Sequence, residues 1–475
     1  MTSGLAAARL TLVLLALLTT AAPEPVVAQS APWTITSRGD SLREDTLSFA
    51  LRGGVRSGQS AMLRVPELRR ASSGATRGAT SLPTPIARWI TLRWVRFAST
   101  SPTPSAPIVF LAGGPGDAAT RAFATMPVAI LDSLRSIGDV IAFDQRGTGT
   151  SEPLLPCPPG AAVAFDLLLS PAQRDSIAVA AATRCIDALR SRGVELLGYT
   201  TAESVEDLES VRIARNAPQL SLLGGSYGTH LGLAYVRRYP TFVSRAVLAG
   251  VEGPDDTFKL PARVDAAFSA LAAVVALDSG FVARDNLLVV FDRIRARLDL
   301  SPQRVSLGGA LVLVTSWDLQ RFVTEALGDL RLIQALPSQL YAIDTGAFDA
   351  LARVAARNKQ TRPLNAMNLL MNCASGASPA RRTLIAAQLP TSRLGDVIDF
   401  PATAVCRIGT LPRLDEPFRT FVVNRSAVLF VSGTLDGRTP ASNVESLLPL
   451  FPNGRHLIVE NQSHSLMGDP DVLSA

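Results

Sequence analysis

An α/β architecture with a mostly parallel central sheet is predicted by two patterns in the chain. The first is a series of short apolar runs, PIVFL at 107–111, VIAFD at 140–144, LSLLG at 220–224, AVLAG at 246–250, AVLFVSG at 427–433 and HLIVE at 456–460, alternating with segments of helical periodicity. Runs this short and this apolar suit strands covered on both faces, the condition of a parallel sheet. The second is the interval of about 175 residues between the fourth and fifth runs, helical in pattern and far longer than one crossover helix requires.

Taken in order, the chain opens with one basic residue, Arg9, then an apolar stretch from Leu10 to Leu18, then small residues up to Ala28 where a signal peptidase would read them. Residues 1–28 are predicted to be a secretory signal, and the mature protein to be exported to a periplasm or the extracellular space. The stretch is short of the roughly 20 residues a membrane span needs, so no stable membrane insertion is expected after cleavage. The segments SAMLRVPELRR and ARWITLRWVRF read as early strands, separated by a Ser/Gly/Thr-rich connection over 71–85. Residues 29–254 are expected to form the first part of the core, 255–400 an inserted helical cap, and 401–475 the second part of the core. Within the insertion, WDLQRFVTEALGDL places Leu319, Phe322, Val323, Ala326, Leu327 and Leu330 on one helical face, with Ser316 as N-cap.

Composition narrows the function classes. A chain of 475 residues with 47% hydrophobic and 18% charged residues is a packed globular protein. The net charge of +6 is carried almost entirely by arginine, the lysines being Lys259 and Lys359, and no dense basic block exists. Nucleic-acid binding is therefore not expected. Four cysteines in an exported chain point to disulfides, and four allow three pairings. The local pairs, Cys157 with Cys185 and Cys373 with Cys406, are predicted. No Cys-x-x-Cys or paired-histidine spacing exists to hold a metal.

Chemistry concentrates at Gly224-Gly225-Ser226-Tyr227-Gly228, a Gly-x-Ser-x-Gly pattern between an apolar strand and a helix-like segment. A serine on so sharp a strand-to-helix turn needs neighbours without side chains two positions away on either side. A hydroxyl becomes nucleophilic only beside a base, and the base needs an acid to orient it. The chain offers three histidines. His230 lies one turn further along the same helix and cannot easily reach the hydroxyl; His456 is held in the last strand. His464, in the loop beyond that strand, is the candidate base. Asp436, in LFVSGTLDGRTP, is the candidate acid because it follows a strand and preserves the chain order Ser, Asp, His. Glu460 is the backup carboxylate, too close to His464 in sequence to be preferred. Acyl transfer also needs oxyanion donors, assigned to the N–H of Tyr227 and to LAGGPGD, where Gly113 and Gly114 let the backbone approach a substrate carbonyl.

These residues resemble the secreted α/β-hydrolases of the prolyl aminopeptidase and tripeptidyl aminopeptidase type. The resemblance rests on AGGPGD, IAFDQRGTGTSEP at 141–153, YTTAESVEDLESVR leading into LLGGSYGTHLGLAYVRRYP, and GTLDGRTP with the late His464. It implies the α/β-hydrolase fold with a helical cap, Ser226, Asp436 and His464 as triad, an exopeptidase acting at free N-termini, and no cofactor. Two departures concern substrate and base loop: Ala112 stands where prolyl aminopeptidases usually carry histidine, as in the tripeptidyl-releasing branch, and Asn461-Gln462-Ser463 replaces a glycine-rich turn. The resemblance also implies a closing helix, for which the residues after His464 are too few. Asp144 and Arg146 are read as an ion pair or loop brace behind the site, and Thr200 with Glu203 as a capping box. Recognition of a protonated amine calls for carboxylates, and Glu252, Asp255 and Asp256 in GVEGPDDTF are the candidates. Two rival readings remain: the same triad acting on small esters or amides, and an inactive exported binding protein that keeps the fold.

Overall fold

Ten strands form one sheet: β1 (Thr34–Ile35), β2 (Ser41–Leu51), β3 (Gly54–Pro66), β4 (Trp89–Phe97), β5 (Ser105–Leu111), β6 (Gly138–Asp144), β7 (Leu220–Gly225), β8 (Val243–Ala249), and, beyond a separate hairpin of β9 (Gln303–Leu307) and β10 (Ala310–Val314), β11 (Val428–Gly433) and β12 (Gly454–Val459). Their order is β1-β2-β3-β4-β6-β5-β7-β8-β11-β12. The strands from β6 to β12 in that order pair in parallel, and β1 to β4 join antiparallel at one side. The computed structural model describes residues 31–69, 88–360 and 362–468; the expected signal segment and the 71–85 connection lie outside them.

The inner parallel strands β6, β7 and β11 are buried along nearly their whole length, as in LSLLG of β7, because helices cover both faces, while the edge strand β12 is largely exposed. One of these helices, Thr201–Ala214, carries Glu203, Glu206, Asp207 and Glu209 and is nevertheless buried all round. It is possible because each acid is paired: Arg146 grips Asp207 with two bonds of 2.6 Å, Arg69 reaches Glu203 at 3.0 Å and Asp207 at 2.8 Å, and Arg38 and Arg212 hold Glu206 and Glu209. The expected pairing of Asp144 with Arg146 is not made. Asp144 instead accepts from the backbone and hydroxyls of Thr120 and Thr150 and braces two loops, while Arg146 bonds across to Asp207. Thr200 caps the helix through the Glu203 N–H, but the Glu203 carboxylate is committed to Arg69.

Between β8 and β11 lie helices Pro261–Leu277, Leu287–Leu300, Ser316–Ala326, Leu330–Asp344, Asp349–Lys359, Ala366–Ser375 and Pro379–Gln388, and the β9–β10 hairpin, which the helical pattern of the sequence concealed. Most of this segment packs on its own apolar cluster around Phe268, Phe291, Leu319 and Leu336. Helix Ala366–Ser375 does not: Met367, Leu370 and Met371 join the cluster under the sheet. The N-cap of Ser316–Ala326 is Thr315 rather than Ser316, in a reciprocal box with Asp318, and the helix ends before Leu330, which starts the next one behind Asp329. Cys157 is bonded to Cys185 and Cys373 to Cys406.

Candidate active site

Ser226 sits between the end of β7 and helix Tyr227–Arg238 with φ 55° and ψ −129°, a backbone conformation costly for a side-chain-bearing residue. The turn is possible because its surroundings are glycine. A Cβ on Gly228 would run into the Leu111 carbonyl, one on Gly224 would meet Gly228 O at 2.8 Å, and one on Gly113 would lie 3.1 Å from the Ser226 Cβ. The turn is tied down by Ser226 N–H donating to Ala249 O at 3.0 Å and by the Tyr227 hydroxyl, 2.8 Å from Thr201 Oγ1.

Asp436 and His464 come from the loops after β11 and β12. These loops are joined by Leu435 N–H to Gln462 O at 2.9 Å and Asn461 N–H to Thr434 Oγ1 at 2.8 Å, and a Cβ on Gly433 would collide with the Gln462 carbonyl. Asn461 takes φ 59°, the left-handed conformation that asparagine tolerates better than most residues. It thereby does the work of the glycine-rich turn that the sequence lacks.

The three side chains meet in one line. His464 Nε2 is 2.8 Å from Ser226 Oγ, and His464 Nδ1 is 2.9 Å from Asp436 Oδ2. Burial would push the Asp436 carboxyl up, but His464, with the Thr439 N–H and hydroxyl, holds it below the usual carboxylate range. Its Oδ1 accepts 2.8 Å bonds from the N–H groups of Arg438 and Thr439, and Thr439 Oγ1 donates to Oδ2 at 2.8 Å. Thr439 was not singled out from the sequence; its position three residues after the acid, in an Asx-type turn, is the signal that could have found it. Glu460 is exposed, and the carboxylate bonded to His464 is Asp436. His230 is buried, with Nδ1 3.1 Å from Gly253 O and Nε2 3.1 Å from Ser375 Oγ, and burial holds it below its ordinary value. His456 bonds Ser432 within the sheet.

Ser226 opens into a cavity of about 690 Å³, walled by Gly114 and Pro115 on the sheet side and by Arg321, Glu325, Asp329 and Arg357 from the insertion. The Tyr227 N–H is the first of its helix and has no intrahelical acceptor. Gly114 takes φ 108°, and Asn368 Nδ2 holds its carbonyl at 3.3 Å. Of the three carboxylates considered for an amine, only Glu252 lines the cavity, where Lys259 Nζ binds it at 2.8 Å. Burial would raise the Glu252 carboxyl, but Lys259 and His230 keep it low, so it is ionised at neutral pH. Asp255 is spent on the N–H and hydroxyl of Ser378, and Asp256 on Arg381 at 2.6 Å and the Gly253 N–H. Both are excluded from the cavity by those bonds. Among the described residues, no group of three His, Cys, Asp or Glu side chains is arranged to hold a metal ion, and no helix is long and apolar enough to cross a membrane.

Fold and site together define an α/β hydrolase, and the chain belongs to that family: it matches the alpha/beta hydrolase fold over residues 106–471. Among its relatives are peptidases. It is 30% identical over 162 residues to the serine protease Hip1 of Mycobacterium tuberculosis, covering 31% of this chain and 30% of that protein. It is 31% identical over 158 residues to the tripeptidyl aminopeptidase of Streptomyces coelicolor, covering 31% of this chain and 28% of that one. The chain thus spans about 30% of the length of the curated relatives it matches. A solved proline iminopeptidase from Mycobacterium smegmatis overlays 80% of this chain and 91% of its own at 16% identity and TM-score 0.37.

Proposed function

We propose that the protein is an exported serine peptidase that releases N-terminal proline or short peptides through an acyl-enzyme. The observation that carries this reading is the line Ser226 Oγ, His464, Asp436, with its two bonds of 2.8 and 2.9 Å, opening into a cavity large enough for a peptide end. Ser226 Oγ attacks the scissile carbonyl while His464 Nε2 takes its proton; Asp436 accepts from Nδ1–H and stabilises the imidazolium. The oxyanion is met by the Tyr227 N–H and the Gly114 backbone. Collapse of the tetrahedral species breaks the C–N bond, His464 returns the proton to the leaving amine, and water repeats the sequence to release the acyl group and regenerate Ser226. An N-terminal ammonium would be received by Glu252, in competition with Lys259.

The test is labelling by a fluorophosphonate, for the wild type and for Ser226→Ala, followed by turnover of prolyl, alanyl and tripeptidyl chromogenic amides. Labelling confined to the wild type, with amide turnover that requires a free N-terminus, is the expected result. Turnover of esters alone would replace the peptidase by an esterase, and a folded wild type that takes no label would remove Ser226 as nucleophile.

A further inference from the structure

The charges in the cavity wall do not balance locally. Glu252 is matched by Lys259, Asp329 caps helix Leu330–Asp344 through Oδ1, and Asp399, its carboxyl raised by burial, accepts the Lys259 N–H at 2.7 Å. At Glu325, by contrast, two guanidinium groups share one carboxylate, and a third lines the same cavity. Arg321 Nη2 reaches Glu325 Oε1 at 3.1 Å, Arg357 bonds its Oε2, and Arg438 is close enough to repel Arg321. Among the described residues no carboxylate lies within ion-pair distance of Arg438, and its side chain donates to no acceptor, although its backbone N–H holds Asp436. The Nε of Arg321 is likewise buried without an acceptor.

Arg438 packs against the Gly328 backbone, where an added Cβ would displace its side chain. Arg321 is fixed from the other side by the Val397 carbonyl at 2.8 Å. Two cations sharing Glu325 and a third without a carboxylate, inside the cavity that holds Ser226, leave an excess of positive charge and unused donors where substrate must lie.

We infer that this cluster is a carboxylate subsite, with Arg438 as its principal donor and Arg321 and Arg357 behind it, and that the substrate is a peptide carrying a carboxylate close to the scissile bond. The inference rests on the peptidase reading for its substrate, but the binding it describes stands on the wall alone. The carboxylate can belong to an acidic side chain or to a free C-terminus a residue or two beyond the cleaved bond. Both present the same planar pair of oxygens to a guanidinium.

Two substrate arms separate these sources. In the first, tripeptidyl chromogenic amides differing only in Glu against Gln at one position are compared. In the second, tetrapeptides with a free C-terminus are compared with their C-terminal amides, product being followed by mass spectrometry. The wild type is expected to favour the anionic member of one arm by about tenfold to a hundredfold in kcat/KM, the range of one charge-assisted hydrogen bond. Arg438→Gln should collapse that ratio, Arg438→Glu should invert it, and Arg357→Gln, a change on a partly exposed side chain, should lower it in part. Equal turnover of the members in both arms, or a preference that survives Arg438→Gln, would overturn the subsite while leaving the peptidase intact. Should the wild type take no fluorophosphonate label, calorimetric binding of the same peptides to Ser226→Ala reads the subsite directly, and equal affinity for charged and neutral members would reject it.

Discussion

Asp399 shows how a single side chain can set the pH response of the cavity. It is half-buried in the cavity wall, accepting the Lys259 N–H at 2.7 Å. Burial pushes its carboxyl up from 3.8 to about 7, against the pull of Lys259. Between pH 4 and pH 7, roughly, the folded chain therefore keeps a proton that the unfolded chain has lost. Folding stability from this group is present at low pH and falls as pH rises through that window. Asp399→Asn keeps the acceptor and removes the titration. Relative to the wild type, the variant should be near neutral at pH 4.5 and stabilised at pH 8, as read from urea midpoints; an equal effect at both would place the bound proton elsewhere. Nothing in the sequence marked Asp399, because its property arises from distant residues closing around it. Ser226, Asp436 and His464 were legible for the opposite reason: each follows a short apolar strand in a glycine-rich or turn-forming context, and the strand ends converge in this architecture. Thr439 fell between these cases, since a threonine in a turn is common and only its bond to Asp436 Oδ2 distinguishes it.

Among the elements, helix Thr201–Ala214 departs most from its sequence. A segment with four acids reads as a solvated face, yet it packs between β3 and the helix that begins at Tyr227. The guanidinium of Arg146 decides this: it is fully buried and bonds Asp207 together with the carbonyls of Glu67 and Gly198, linking the loop after β6 to β3 and this helix. Removing one partner of such a pair leaves an uncompensated charge. Arg146→Met is expected to cost about 3–5 kcal/mol, seen as a lower urea midpoint, and Asp207→Leu in the same chain should recover part of it. A loss below about 1 kcal/mol, the value of an exposed pair, would show that water reaches the cluster. The inner apolar strands were readable because burial on both faces leaves a continuous apolar run, and β12 because its LIV stretch is apolar even though much of it is exposed. β2 was not, because its SLREDTLSFAL is polar on a partly exposed side of the sheet, and β9 and β10 are five-residue strands in a segment dominated by helical periodicity.

At the scale of the molecule, the helices between β8 and β11 are shared between two of the apolar clusters, and periodicity could reveal those helices without revealing which cluster each one faces. Helix Ala366–Ser375 faces the sheet and bears on the site, because its Asn368 holds the Gly114 and Pro115 carbonyls at 3.3 and 3.4 Å and its Ser375 bonds the buried His230. The Cys373–Cys406 bond anchors this helix across a separation of 33 residues, and Cys157–Cys185 closes 28 residues elsewhere in the same cluster. Loop-closure entropy gives the two bonds similar weight, about 3–4 kcal/mol each. Their effect on the site should differ. Replacing Cys157 and Cys185 by serine is expected to lower the thermal midpoint with little change in the rate of fluorophosphonate labelling. Replacing Cys373 and Cys406 should lower the midpoint comparably and also slow labelling, because the helix that positions the Gly114 backbone loses its tether. Labelling rates measured well below both midpoints decide the matter: equal rates for the two pairs would mean that Asn368 and the Gly114 loop hold their geometry without the covalent anchor, and that the bond serves stability alone.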